Sequence, residues 1–195
     1  YWIYISEIRK DIMPGSIKID DGSGNYTILT NGGSLGSDKT ITIPNTTGTL
    51  NLQSGSVLQT VLGTYSTNTI ITSTSFQDTN LDATITPSST SSKILVLVNH
   101  STLSWAPAAI PWGYIQLLRG STVLTNRSLG MKAYLHGDGN NYLAAPFQMT
   151  FLDAPSSTSA LTYKTQAKYA GGGSGQIEVG YQNLMQHIIL MEIGG

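Results

Sequence analysis

The chain has 195 residues, of which 39% are hydrophobic and only 11% charged, with a formal net charge of -1 and no cysteine. A charged share so far below the usual ~25%, with Ser and Thr in its place, suits a β-rich protein whose exposed faces carry hydroxyls, and the missing cysteine excludes disulfides, thiolate catalysis and Cys-ligated metal. Ten Lys and Arg spread along the chain form no basic stripe, so no nucleic-acid partner is expected, and no apolar run approaches the ~18 residues that span a bilayer, so neither is membrane insertion.

Residues 1–12 begin without Met, and their charges follow the apolar part, unlike a secretory signal. Met13-Pro14-Gly15-Ser16 resembles an initiation site, and Arg9-Lys10-Asp11-Ile12 can be encoded AGG-AAG-GAT-ATT, which contains a purine-rich ribosome-binding sequence. Residues 1–12 are therefore expected to be upstream or extraneous sequence; the alternative is a fragment of something longer. Residues 16–20, 26–30, 40–43 and 48–52 read as four short strands. Asp21-Gly22, Asn31-Gly32-Gly33 and Asn45-Thr46-Thr47-Gly48 supply the turns, because Gly and Asn tolerate positive φ. Pro44 cannot donate to a ladder and marks a strand end or edge. These strands make residues 13–54 a β neck or attachment region.

From residue 55 to 195 the apolar content rises and the strands lengthen. Strands are expected at 57–65, 69–77, 81–86, 93–101, 112–119, 122–128, 142–152, 159–168, 176–180 and 186–193. The loops at 87–92, 154–158 and 171–175 are rich in Pro, Ser and Gly. About ten strands at 8–12-residue spacing without a convincing helix indicate an all-β sandwich or barrel. The run Lys93-Ile94-Leu95-Val96-Leu97-Val98 is continuous rather than alternating, which suits a strand buried on both faces. Gly120-Ser121 reads as a tight hairpin turn. Between Gly130 and Gly137, residues 131–135 have room for a turn and no more.

In order along the chain these segments resemble bacteriophage virion fibre proteins of the tail-fibre or head-fibre type. In the neck the resemblance is carried by Ser16-Ile-Lys-Ile-Asp-Asp-Gly-Ser-Gly-Asn25, Gly33-Ser-Leu-Gly-Ser-Asp-Lys-Thr-Ile-Thr-Ile-Pro44 and Thr47-Gly-Thr-Leu50. In the head it is carried by Ser91-Ser-Lys-Ile-Leu-Val-Leu-Val98, Leu117-Leu-Arg-Gly-Ser121, Phe151-Leu-Asp-Ala-Pro155 and Ile189-Leu-Met-Glu-Ile193. The resemblance implies a C-terminal jelly-roll β-sandwich similar in plan to C1q and tumour-necrosis-factor heads. It also implies a homotrimer, a place in the virion with other virion proteins as partners, and often binding to a bacterial surface polysaccharide. The residues resemble no coiled-coil shaft or anchoring domain, which leaves tail, baseplate and capsid open as attachment points.

Oligomerisation has a separate physical argument. The neck's apolar set includes Ile17, Ile19, Ile28, Leu35, Ile41, Ile43 and Leu50. A segment below roughly 40 residues rarely folds without staples or partners, and disulfides are excluded. Three intertwined necks would give each strand neighbours and hide its edges; the alternative is that the neck packs on its own head.

The chemistry of a catalyst is not found. His100, His136 and His187 have no metal-ligand spacing, and no cofactor or metal is expected; His187, in the last strand, is the histidine best placed for a threefold axis to gather. Asp138-Gly139-Asn140-Asn141 lacks the acid count of an EF-hand loop. The glycines at 171–175 lack the Lys-Ser/Thr pair of a phosphate loop. No carboxylate pair or Gly-x-Ser-x-Gly elbow is evident, so no enzyme is expected. The one binding constellation is aromatic: Trp105, Trp112, Tyr114, Tyr134, His136, Asp138, Asn140, Asn141 and Tyr142 fall in or near 102–113 and 130–142. Aromatic faces stack on sugar rings while Asn and Asp bind hydroxyls, as an adhesin requires; the other reading is that both tryptophans seal the core or a subunit contact. Three functions stay open: an attachment fibre, a purely structural capsid decoration, and a carbohydrate-binding module or depolymerase tip.

Overall fold

The computed structural model describes residues 16–20, 26–30, 54–107, 111–129 and 140–195, and the chain divides into two compact units, Tyr1–Leu50 and Asn51–Gly195. In the first unit, β1 (Ser16–Asp20) and β2 (Tyr26–Thr30) pair antiparallel, with Ile17 opposite Leu29, Ile19 opposite Thr27 and Ile28 opposite Lys18. Both strands have the expected limits. The strands expected at 40–43 and 48–52 lie outside the described residues, as do Leu35, Ile41, Ile43 and Leu50.

The second unit is built from β3 (Val57–Tyr65), β4 (Thr69–Ile71), β5 (Gln77–Ile85), β6 (Lys93–Pro107), β7 (Gly113–Arg119), β8 (Thr122–Leu129), β9 (Asn140–Asp153), β10 (Leu161–Tyr169), β11 (Gln176–Val179) and β12 (Gln186–Ile193). One sheet runs β5-β10-β7-β8. In the other, β6 is flanked on one side by β9 and on the other by β12 and β11 placed end to end, which in turn carry β3 and β4. With β3–β4 and β11–β12 each counted as one broken strand, the eight strands run 1-8-3-6 in one sheet and 2-7-4-5 in the other. That antiparallel order is the jelly roll.

Alternation builds the layers. Along β12, Gln186, Ile188, Leu190 and Glu192 are buried and their neighbours half-buried. Along β5, Thr79, Leu81, Ala83 and Ile85 are buried and Asn80, Asp82 and Thr84 exposed. The inward residues of both sheets meet in one core, which includes Ile85, Ile94, Val96, Ile115, Leu117, Tyr163, Ile177 and Leu190. The β6 run is not buried on both faces. Ile94, Val96 and Val98 point into the core, while Leu95 and Leu97 are half-buried on the outer face.

Strand limits moved where turn chemistry was weak. The strand expected at 69–77 stops at Ile71, and β5 begins at Gln77 rather than 81. It contains an irregularity opposite Thr165, where Asn80 takes φ 63; Asn tolerates this left-handed conformation better than most residues. The Gly120-Ser121 hairpin is as expected, with Arg119 opposite Thr122 and φ 58 at Gly120. A short 3₁₀ turn at Tyr181–Asn183, with positive φ at Gln182 and Asn183, was not foreseen.

Two polar assemblies bridge the sheets. Tyr163 Oη and Arg119 Nη1 both donate to Asp153 Oδ2, at 2.7 and 2.5 Å, tying β10, β7 and β9. Burial, and then the Asp153 carboxylate, push the Tyr163 phenol above its ordinary range. The second assembly centres on His100, which has no exposed surface. Its Nδ1 lies 2.5 Å from Gln186 Oε1 and its Nε2 3.1 Å from Thr165 Oγ1, which meets Thr79 Oγ1 at 2.6 Å. Buried polar groups are tolerated when paired in this way. Burial holds the His100 pKa down to about 4, opposed by the Gln186 contact and helped by nearby His187. At the sheet's other end Glu192 accepts from Ser88 N (2.7 Å), Ser88 Oγ (2.6 Å) and Gln59 Nε2 (2.6 Å). Burial opposes its charge, but these donors hold it at about 2.

An unfolded His100 takes up a proton below about pH 6.5, whereas the folded ring resists until about 4. Stability present above pH 6.5 is therefore lost as pH falls to 4, by about 3 kcal/mol. Glu192 adds its own loss only between 4.5 and 2. Urea titrations at pH 7, 5.5 and 4 should show the first decline, and His100→Gln should flatten it; an unchanged slope in that variant would assign the decline elsewhere.

Candidate functional site

The two outer faces of the sandwich differ in chemistry. On the sheet containing β6, the outward positions carry Leu62, Ile70, Leu95, Leu97, Leu152, Ile189 and Met191. Cross-strand pairing sets Leu62 beside Ile189, Ile189 beside Leu97, Met191 beside Leu95 and Leu95 beside Leu152. Exposures of 61% for Leu62, 58% for Ile70 and 54% for Leu152 show that nothing in this unit covers their tips. Of the nine large exposed hydrophobics among the described residues, eight belong to this sheet or to the segment joining β11 to β12, and only Val123 belongs to the other. His187 also lies on this outer face, between Thr64 and Asn99.

The segment joining β11 to β12 stands beside the same sheet. It is anchored by Gly180 N donating to Ser101 O at 2.7 Å and Asn68 N donating to Asn183 Oδ1 at 3.0 Å. With β6 and β9 it walls a groove of about 480 Å³, lined by Asn99, Ser101, Pro146, Tyr181, Leu184 and Met185 among others. Met185 is 67% exposed.

On the other sheet, the outward residues of β5 and β10 are Asp78, Asn80, Asp82, Thr84, Lys164, Gln166 and Lys168. Tyr114 and Gln116 lie beside Lys168 and Gln166 on β7. The side chains form two ordered rows. In one, Lys168 Nζ lies 4.8 Å from the centre of the Phe76 ring and 5.2 Å from that of Tyr114, and Tyr114 meets Trp112 edge-on with centroids 5.3 Å apart. In the other, Gln116 Nε2 donates to Gln166 Oε1 (2.8 Å), and Gln166 Nε2 donates to Asp78 Oδ1 (2.8 Å). Asp78 also pairs with Lys164 (3.0 Å). The Gln166 hydrogen bond and then Lys164 keep the Asp78 carboxyl below its ordinary range.

The aromatic candidates thus part company. Trp105 and Tyr142 sit opposite one another on β6 and β9, on the apolar sheet, with ring centroids 6.5 Å apart. Trp105 Nε1 is buried there without a hydrogen-bond partner, an arrangement that costs about 1–3 kcal/mol. Trp112 and Tyr114 stand on the polar sheet. Asn140 and Asn141 open β9, Asn141 half-buried. Tyr134, His136 and Asp138 lie outside the described residues. Phe76, Gln116, Gln166 and Lys168 were not foreseen, because they come from segments distant in sequence. The signal for two of them was present: in Tyr163-Lys164-Thr165-Gln166-Ala167-Lys168-Tyr169 the polar residues recur at every second position. Among the described residues no group of three or more His, Cys, Asp or Glu converges to hold a metal.

No protein-family model and no curated protein sequence matches the chain. Solved structures similar to it include the VP2 subviral particle of infectious bursal disease virus (12% identity, TM-score 0.32, covering 82% of this chain and 37% of that one). The T13 particle of the same virus is similar at 13% identity and TM-score 0.33, covering 87% and 42%. Dimeric latent PorU from Porphyromonas gingivalis is similar at 8% and 0.28, covering 73% and 14%. The chain therefore spans well under half the length of the viral proteins it matches. The jelly-roll assignment rests on this chain's own strand order.

Gly113 separates Trp112 from Tyr114 and faces the core. A Cβ there would run into Ile177 of the opposite sheet and into the Lys168 carbonyl. A backbone atom cannot swing aside, so Gly113→Ala is expected to cost about 1–3 kcal/mol. Thermal unfolding followed by tryptophan fluorescence tests this; a midpoint equal to that of the parent would show that position 113 has room for a side chain.

Proposed function

We propose that the chain is a non-enzymatic structural protein of a bacteriophage virion, a short homotrimeric fibre whose head attaches to a glycan on the bacterial surface. The observation that carries this reading is the division of labour between the two outer faces. A contiguous exposed apolar surface marks an interaction site, and here it lies almost entirely on one sheet. Charges on that face are few: Glu178 is engaged by Asn68 and Gln176 at 2.7 Å each. A face of this kind can meet a copy of itself without like-charge repulsion, which favours another copy of the chain as its occupant. Trp105 and Tyr142 then belong to the subunit contact, as does the groove beside Met185.

The opposite face has the chemistry of an adhesin. It presents Trp112 and Tyr114 for stacking, and the Gln166 amide, held in place by buried Gln116 and by Asp78, for reading hydroxyls. Three copies of a weak site on one particle act together by avidity. The fibre-like motifs of the neck support the virion location and the partnership with tail, baseplate or capsid proteins.

Two measurements test the proposal. Light scattering after size exclusion should give the mass of three chains, and Leu62→Arg should reduce it to one chain with the circular dichroism of the β-sandwich retained; a monomeric parent would sink the trimer. On a glycan array Trp112→Ala should lose binding while remaining trimeric, and Trp105→Ala should weaken assembly instead. A trimer that binds no glycan and localises to the capsid would support a decorating role in place of attachment.

A further inference from the structure

Among the described residues, the polar face carries a cation that no carboxylate neutralises. Asp78 is committed to Lys164 and Gln166. Lys168, four residues along the same strand, has no carboxylate and no hydrogen-bond acceptor among the described residues; its ammonium is positioned by the Phe76 and Tyr114 rings. A lysine side chain is ordinarily the most mobile group on a surface, and fixing it costs rotamer entropy. Here two ring faces, on the neighbouring strand and on the segment leading into β5, hold the charge electrostatically. The three ammonium donors remain unspent.

We propose, on the reading that this face binds glycan, that its ligand is an anionic saccharide and that Lys168 receives the acidic group. Neighbouring strands lie about 4.8 Å apart and alternate residues about 7 Å apart along a strand. A sugar ring stacked on Trp112 or Tyr114 would therefore have the ammonium at one side and half-buried Gln166 within reach of the next hydroxyls, with buried Gln116 holding Gln166 in place. A carboxylate or phosphate hydrogen-bonded to a fixed ammonium is a stronger contact than any neutral hydroxyl could make there. Because the ammonium already sits against two rings, little ordering remains to be done on binding. Uronates and sugar phosphates share this chemistry, and the test distinguishes them.

The trimer, as it assembles, is titrated calorimetrically with hexagalacturonate, pentamannose phosphate and neutral maltohexaose. One or both anionic probes should bind more tightly than maltohexaose. Lys168→Gln should weaken the anionic probe about tenfold, the worth of one charge-assisted hydrogen bond, with thermal stability retained. Lys168→Arg, which keeps the charge but changes the shape of its head group, should bind the anionic probe more tightly than Lys168→Gln does. A preference for hexagalacturonate identifies the anion as carboxylate, and one for pentamannose phosphate identifies it as phosphate. Anionic binding unchanged in Lys168→Gln overturns the assignment of Lys168. Equal binding of neutral and anionic probes overturns the inference while leaving the glycan reading standing. Failure to bind any saccharide here or on the array overturns both.

Discussion

The structure depends on β6. Its fifteen residues pair along one side with β9 and along the other with β12 and then β11, so it is the long interior strand that joins three others of its sheet. Strict alternation along it does two jobs. The inward set of Ile94, Val96, Val98 and His100 makes the middle of the core and its one buried histidine chain, and the outward set of Leu95, Leu97, Leu103 and Trp105 makes the apolar outer face. A one-residue slip would exchange these sets and bring Asn99 and Ser101 inward. The His100–Thr165–Thr79 chain guards against that slip, because its hydrogen bonds form in one register only.

The apolar outer face and the polar opposite face follow from which strands each sheet recruits. The strands β3, β6 and β12 are apolar at both parities, whereas β5 and β10 alternate apolar with charged or amide residues. The jelly-roll order collects the first group in one sheet and the second in the other. The head thereby carries Asp78, Asp82, Lys164 and Lys168 together on one side. The other side is left with surface that water does not favour. The two outer faces of one small sandwich therefore differ in chemistry.

Much of the architecture was legible in single segments. The limits of β1, β2, β3 and β12 follow from alternation and Gly or Asn turns, and the Gly120-Ser121 hairpin from its glycine. Where the local signal was weak, boundaries moved: Ser73 to Phe76 has β-like composition but forms no strand, and β6, expected to end at 101, continues to Pro107. The 3₁₀ turn at Tyr181–Asn183 breaks the last strand in two and has no sequence signature, because Gln182 is left-handed against its own preference. The continuous Lys93–Val98 run was ambiguous for a physical reason. Apolar residues at both parities state that both faces avoid water without stating what covers the second.

The sequence by itself determined the all-β class and several of the turn positions, because alternation and turn chemistry act between near neighbours. It also pointed to the aromatic residues as a pool of candidate contacts. Only the tertiary structure decided how that pool divides. Trp105 and Trp112 are seven residues apart, yet they occupy opposite sheets, because the chain crosses the sandwich between β6 and β7. Phe76, Tyr114 and Lys168 are distant in sequence, yet the Lys168–Tyr114 register and the approach to β5 place one ammonium between two rings. Pairing across strands brings such groups together, and that pairing is settled by packing of the whole core rather than by any segment of it.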